Sequence, residues 1–211
     1  MKLLKYNART DRVIDIVSGE IITKAVEMED SIKKNLAEKY GQCKILPNWP
    51  QLAIMLQFLG DIKDKTVLDL GCGSATSPDY ELGCPNSKKY RSFEPWFLRK
   101  VHMLGAKAIG IDLGDLSKEE FTRYQRDLFN PNTFVDFDSN SIDFAHASML
   151  FDSPSVQHNG DVLLERILPH LERILKSEAV FMFDPDDTGL RREEDFKQFL
   201  QDYGYQEARK A

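Results

Sequence analysis

Cysteine is scarce in this 211-residue sequence, with three at Cys43, Cys72 and Cys84. Three cannot all pair, and no two stand in the C-x-x-C spacing of a zinc ribbon or an iron–sulfur site. Reduced thiols in a cytoplasmic protein are therefore expected. Positive charge is also in deficit: 28 Lys and Arg against 34 Asp and Glu leave a net charge of −6. No overall field draws a phosphate backbone, so no nucleic-acid partner is expected. No apolar run approaches the ~20 residues that cross a bilayer. Met1-Lys2-Leu3-Leu4-Lys5 turns polar too soon for a signal peptide. The expectation is a protein of the cytoplasm with no membrane contact. Hydrophobic residues at 42% and charged residues at 29% are ordinary for a globular chain. The length fits one domain with a decoration.

What the sequence does contain is a dense stretch at residues 66–76, Thr-Val-Leu-Asp-Leu-Gly-Cys-Gly-Ser-Ala-Thr. A short apolar run ending in two glycines reads as a buried strand entering a tight turn. Glycine lets backbone approach a ligand, because no Cβ stands in the way. Such a turn at the start of a doubly wound sheet is where nucleotides bind. A dinucleotide fingerprint, G-x-G-x-x-G, needs Gly or Ala at position 76, and Thr76 stands there. The bland alternative is a buried strand whose Asp69 caps its own turn.

The spacing of Asp69, Gly71, Gly73 and Ala75 resembles the first motif of class I S-adenosylmethionine-dependent methyltransferases. The likeness runs over about residues 48–205 and is specific mainly at this turn. It has a chemical logic, since S-adenosylmethionine has no pyrophosphate to seat on a helix N-terminus. It brings an ammonium that a carboxylate and strand-end carbonyls can neutralise.

The rest of the chain fits a βα alternation. Residues 13–22 read as a hairpin turning at Ser18-Gly19, or Ser18 caps a helix from about Glu20 to Tyr40 that Gly41 ends; helix is favoured over 25–40. Pro47-Asn48-Trp49-Pro50 starts a helix over 51–59, with Pro50 in its first turn and Gly60 closing it. Loop residues fill 77–93 and contain Tyr90 and Arg91, and a helix follows from Glu94 to Leu104. A strand over 108–111 ends in Asp112. Such an acid usually follows the glycines by about 20 residues, and here by about twice that, which marks 77–93 as an insertion beside the site. Ser117 reads as a helix cap, Phe121 to Arg126 as a short third strand, and 136–140 as a turn. Strands over 141–147 and 179–183 flank an amphipathic helix over 163–175, in which Pro169 predicts a kink or two shorter pieces. A helix over 193–203 and one further strand complete the reading.

The expected fold is thus α/β: a doubly wound, mostly parallel Rossmann-like sheet with helices on both faces and an N-terminal helical extension. Residues 1–47 form the extension and 48–211 the domain. The resemblance implies S-adenosylmethionine as cofactor, with Asp69, Gly71, Cys72, Gly73 and Ala75 at the turn. It also implies Asp112 and Leu113 beside the ribose, Asp127 and Leu128 beside adenine, and Ala147 and Ser148 near the methyl. The family closes its sheet with an antiparallel C-terminal hairpin, and only one of those strands fits here. His146 has a ring suited to general-base work, although a histidine in an apolar strand is commonly a hydrogen-bonded core residue. Asp152 could orient an acceptor amine or hydroxyl, or cap a helix. Asp184, Asp186 and Asp187 could hold magnesium; an exposed acidic loop is the favoured reading, so no metal is expected. Neither a Pro-Pro-Tyr nor a Pro-Cys motif of nucleic-acid methyltransferases is present. A small-molecule acceptor is expected, with a non-catalytic binding protein or an NAD-dependent oxidoreductase as alternatives.

Overall fold

The computed structural model describes residues 1–7, 12–15, 21–24, 34, 38, 49–74, 94–151, 153, 155–156 and 159–184. The 77–93 insertion, the 193–203 helix and the last strand lie outside the described residues. So do Ala75, Asp152, Asp186 and Asp187. The elements are β1 (Lys2–Asn7), β2 (Arg12–Asp15), β3 (Ile21–Lys24), α1 (Trp49–Leu59), β4 (Thr66–Leu70), α2 (Trp96–Met103), β5 (Lys107–Asp112), β6 (Thr122–Gln125), β7 (Ile142–Ser148), α3 (Gly160–Ile174) and β8 (Leu175–Asp184).

Among the described residues, eight strands form one sheet in the order β3-β2-β1-β8-β7-β4-β5-β6. The six from β1 to β6 along that order run parallel, and β2 and β3 run antiparallel at one end. From β4 the chain winds outward through β5 and β6. It then returns across β4 to place β7 and β8 on the other side. This is a doubly wound Rossmann-like order, and its direction reverses between β4 and β7. At such a switch the loops diverge and leave a crevice beyond the strand ends.

Side-chain alternation fixes which face each helix covers. Val67, Phe144, Val180 and Met182 point to the layer holding Leu52 and Met55 of α1 and Phe97, Leu98 and Val101 of α2. Leu68, Leu70, Ala145, Phe181 and Phe183 point to the opposite layer, built on Leu163, Leu164, Ile167 and Leu171 of α3. A central strand buried on both sides must be apolar almost throughout, so Val67-Leu68-x-Leu70 reads as an unbroken run. Helix α2 also buries Lys100, and that burial brings its ammonium pKa down to about 7.

Several expectations hold. Helix α1 carries Pro50 in its first turn and ends where Gly60, at φ +63°, donates its N–H to Leu56 O. Strands β4, β5, β6, β7 and β8 and helices α2 and α3 stand where the pattern put them. Three readings change. Ser117 caps no helix: its N–H and hydroxyl both donate to the Asp115 carboxylate, at 2.7 and 2.9 Å, which closes a local turn instead. Pro169 does not divide the helix into two pieces: α3 runs as one helix over Gly160–Ile174, with Pro169 on its exposed side. There its missing N–H leaves no buried acceptor waiting.

The third change is at the sheet edge. β2 and β3 pair antiparallel, so Ile21–Lys24 is strand rather than the first turn of a helix, and β1 pairs in parallel with β8 from Lys2↔Val180 to Lys5↔Phe183. The N-terminus thus covers the edge that the C-terminal hairpin was expected to close. Of the 25–40 stretch only Lys34 and Glu38 are described, both helical and exposed.

At the opposite end of the strands from the crevice, Asp143 ties three of them together. Its Oδ2 accepts the Thr66 N–H at 2.9 Å, and its Oδ1 receives Lys176 at 2.7 Å with Lys65 at 3.8 Å. Burial alone would raise the Asp143 pKa, but the Lys176 and Thr66 hydrogen bonds and the two lysine charges hold it below the usual carboxylate value. Stability from this group is therefore full above the unfolded pKa of about 3.9 and is lost as pH falls through the folded value. Asp143→Asn should cost about 1–3 kcal/mol at pH 7 in urea denaturation. The gap to the parent should close as pH drops below about 4.

Candidate functional site

The glycine turn leaves β4 at the switch. Gly71 and Gly73 take φ of +64° and +94°, a region that L side chains rarely enter. Gly71 has a second constraint. A Cβ built there would lie 2.7 Å from Leu150 Cδ1, so the segment after β7 packs directly on the turn.

The turn is held through its own amides. The N–H groups of Gly71 and Cys72 both donate to Ile111 O, at 2.8 and 3.1 Å. Gly73 N–H donates to Asp112 Oδ2 at 2.9 Å, and Gly114 N–H to Oδ1 at 2.8 Å. Ser74 Oγ donates to Asp115 O at 2.7 Å. One buried carboxylate at the end of β5 thus ties the turn after β4 to the loop after β5. Gly114 was not foreseen as part of this site, although a glycine two residues past a strand-end acid was visible in the sequence.

Beneath the turn, Asp69 and His146 meet. Asp69 Oδ1 lies 2.8 Å from His146 Nδ1, with side chains 3% and 1% exposed. Phe97 of α2 lies over the imidazole, with ring centroids 4.1 Å apart and planes tilted by 31°. Burial pushes the Asp69 pKa up, while the charge and hydrogen bond of His146 pull it down. Both residues were singled out separately, and their pairing comes only from the register Asp69↔His146.

Cys72 belongs to the same layer. Its thiol packs so close to Gly110 that a Cβ on Gly110 would sit 2.8 Å from Sγ. Burial, reinforced by Asp69, Asp112 and Glu119, pushes the thiol pKa well above its ordinary value. The thiol also turns back on the glycine turn, donating to Gly73 O at 3.6 Å.

The remaining candidates line the C-terminal ends of their strands. Leu113 is 37% exposed, and its carbonyl accepts Gln125 Nε2 at 3.0 Å. Asp127 is exposed and Oδ1 accepts the Phe129 N–H at 2.8 Å, closing a turn, while Leu128 is buried in the α3-side core. Ala147 is buried and Ser148 half-buried at the end of β7. Met149 follows at φ +54° and 61% exposed, an apolar side chain held at the rim in a strained backbone state that no local pattern announces. The structure therefore brings together Gly71, Gly73, Asp112, Leu113, Ser148 and Met149 around the switch. It puts the side chains of Cys72, Leu128 and His146 in the core. Among the described residues no three His, Cys, Asp or Glu side chains stand as a metal-ligand group, and no helix is long and apolar enough to cross a membrane.

No protein-family model and no curated protein sequence matches the chain. Solved structures do resemble it. One is a candidate S-adenosyl-L-methionine-dependent methyltransferase of Methanococcus maripaludis, at 13% identity and TM-score 0.42, matching 85% of this chain and 76% of that one. Another is phosphoethanolamine N-methyltransferase 2 of Haemonchus contortus in complex with S-adenosyl-L-methionine, at 20% identity and TM-score 0.40. It is matched over 88% of this chain and 42% of that one. An NADPH-dependent glyoxylate/hydroxypyruvate reductase of Sinorhizobium meliloti matches at 15% identity and TM-score 0.36, over 85% and 51%. None of the three reaches a TM-score of 0.5, and they include both methyltransferases and a reductase. The chain's own residues have to decide between those chemistries.

Gly71→Ala should lower stability by about 2–3 kcal/mol in chemical denaturation, because it adds a positive-φ penalty to the Leu150 clash. Gly60→Ala carries a positive φ but meets nothing within 4 Å. It should cost about 1 kcal/mol.

Proposed function

We propose that this chain is an S-adenosylmethionine-dependent methyltransferase acting on a small-molecule acceptor. The observation that carries the reading is the state of the turn's amides. A dinucleotide site presents backbone N–H groups to a pyrophosphate. Here the N–H groups of Gly71, Cys72 and Gly73 are already spent on Ile111 O and Asp112. Among the described residues the turn thus offers a ligand a carboxylate rather than these three amides. That suits a ligand bearing hydroxyls and cationic groups and no phosphate.

The residues present fit such a ligand. Asp112, at the end of β5, accepts the Gly73 and Gly114 amides at the mouth of the crevice. The group that ties the turn can also take ribose hydroxyls. Leu113 offers exposed apolar surface next to it for a purine, with Asp127 and Leu128 one strand further out. Gly73, with no side chain and a φ of +94°, is the part of the turn left for the aminoacyl end, and Ala75 continues the same turn in sequence.

When bound, the cofactor supplies an electrophilic methyl on a sulfonium. The chain's part is then to hold the acceptor nucleophile in line and to keep water out. Met149 and Leu113 provide apolar walls for that purpose. Asp152, just beyond β7 in sequence, is the candidate for orienting an acceptor amine or hydroxyl. His146 is buried beneath the turn, against Asp69 and Phe97.

Titration calorimetry with S-adenosylmethionine, S-adenosylhomocysteine and NADH tests the reading. The first two should bind and NADH should not. Asp112→Ala should weaken binding about tenfold or more, as expected for losing hydrogen bonds to a charged group. Binding of NADH alone would overturn the assignment.

A further inference from the structure

The ladder between β4 and β7 has a last rung. Val67 pairs with Phe144, Leu68 with Ala145 and Asp69 with His146. Beyond that point both strands continue, but each with its other neighbour. Leu70 pairs with Ile111 of β5, and Ala147 and Ser148 pair with Phe183 and Asp184 of β8. The two strands fork just after Asp69 and His146, and the fork is the floor of the crevice. The 2.8 Å Asp69–His146 bond lies on that last rung, under the ring of Phe97.

We infer that His146 is a positioning residue: its bond to Asp69 clasps β4 to β7 at the fork and sets the width of the crevice that receives the cofactor. The inference rests on the methyltransferase reading of that crevice. The walls the clasp controls are the Gly71 turn on β4 and the Ser148-Met149 corner on β7. They touch across the gap, since Leu150 packs against Gly71 with no room for a methyl group. A small change in the spacing of the two strands therefore moves both walls at once. Two features suit the pair to this task. Its burial excludes water, which would otherwise compete for the hydrogen bond. Its position on one registered pair means the bond restrains strand separation directly, without a loop between.

The clasp separates from a packing role by how binding and stability respond. His146→Phe keeps a ring against Phe97 and removes the bond. The affinity of the folded protein for S-adenosylhomocysteine, measured by calorimetry with stoichiometry near one, should fall about tenfold. His146→Asn places an amide where Nδ1 stands, and should recover the parent affinity to within about threefold. If His146→Phe alone fails to fold, Asp69→Leu with His146→Phe replaces both partners by apolar groups, which buried pairs tolerate far better than the loss of one. That double variant should fold and still bind weakly. Parent-like affinity in His146→Phe or in the double variant, whatever the change in melting temperature, would overturn the clasp. So would equal weakening in His146→Phe and His146→Asn. Failure of the unmodified protein to bind the ligand at all would instead overturn the cofactor reading, and the clasp's role with it.

Discussion

The Asp112 carboxylate holds two loops with one group. Its oxygens take the amides of Gly73 and Gly114, so the turn leaving β4 and the loop leaving β5 are fixed relative to each other. Without that tie, two buried or half-buried N–H groups would each need another acceptor, and leaving either unmade costs about 1–3 kcal/mol. The amides of Gly71, Cys72 and Gly73 are turned onto Ile111 O and the buried Asp112 carboxylate, so the same hydrogen bonds hold the fold and shape the turn at the crevice.

The sheet around the site divides its polar work by position. At one end of the strands, Asp143 gathers Thr66, Lys65 and Lys176, a partly screened cluster that fastens β4, β7 and β8. At the other end, Asp69 and His146 sit fully buried between β4 and α2, where dielectric screening is weak and each group depends on the other. Between them the strands are apolar on both faces. A second fastening joins α2 to the loop before β6. Arg99 donates to Glu119 at 2.6 and 2.8 Å and to Glu94 at 2.7 Å, with its guanidinium 4.4 Å over the ring of Trp96.

Much of the site was legible because its signals are local. Glycines at 71 and 73 announce a turn by their lack of Cβ, and both take positive φ. Asp112 closes a short apolar strand, and its place at the strand end follows from the periodicity before it. The N-terminal strands were not legible in the same way. Lys2–Asn7 has no alternation that sets it apart, and its partner in β8 lies at the far end of the described chain. Parallel pairing over such separation leaves no mark in a local window. Ser117 misled for the opposite reason. A local cap signal was present, but Asp115 two residues earlier used the same hydroxyl for a turn.

Local signals in the chain carry the elements of the central sheet, the order in which they come, and the glycine turn and strand-end acid at the crevice. Those follow from apolar periodicity and from backbone freedom at glycine, which act within a few residues. Tertiary structure alone decided what the polar groups do. It turned the glycine amides onto Asp112 and Ile111, paired Asp69 with His146 across two strands, and laid the N-terminus against β8. Each of these depends on strand register. Register is set by how two whole faces pack against their helices, and no single segment carries that information.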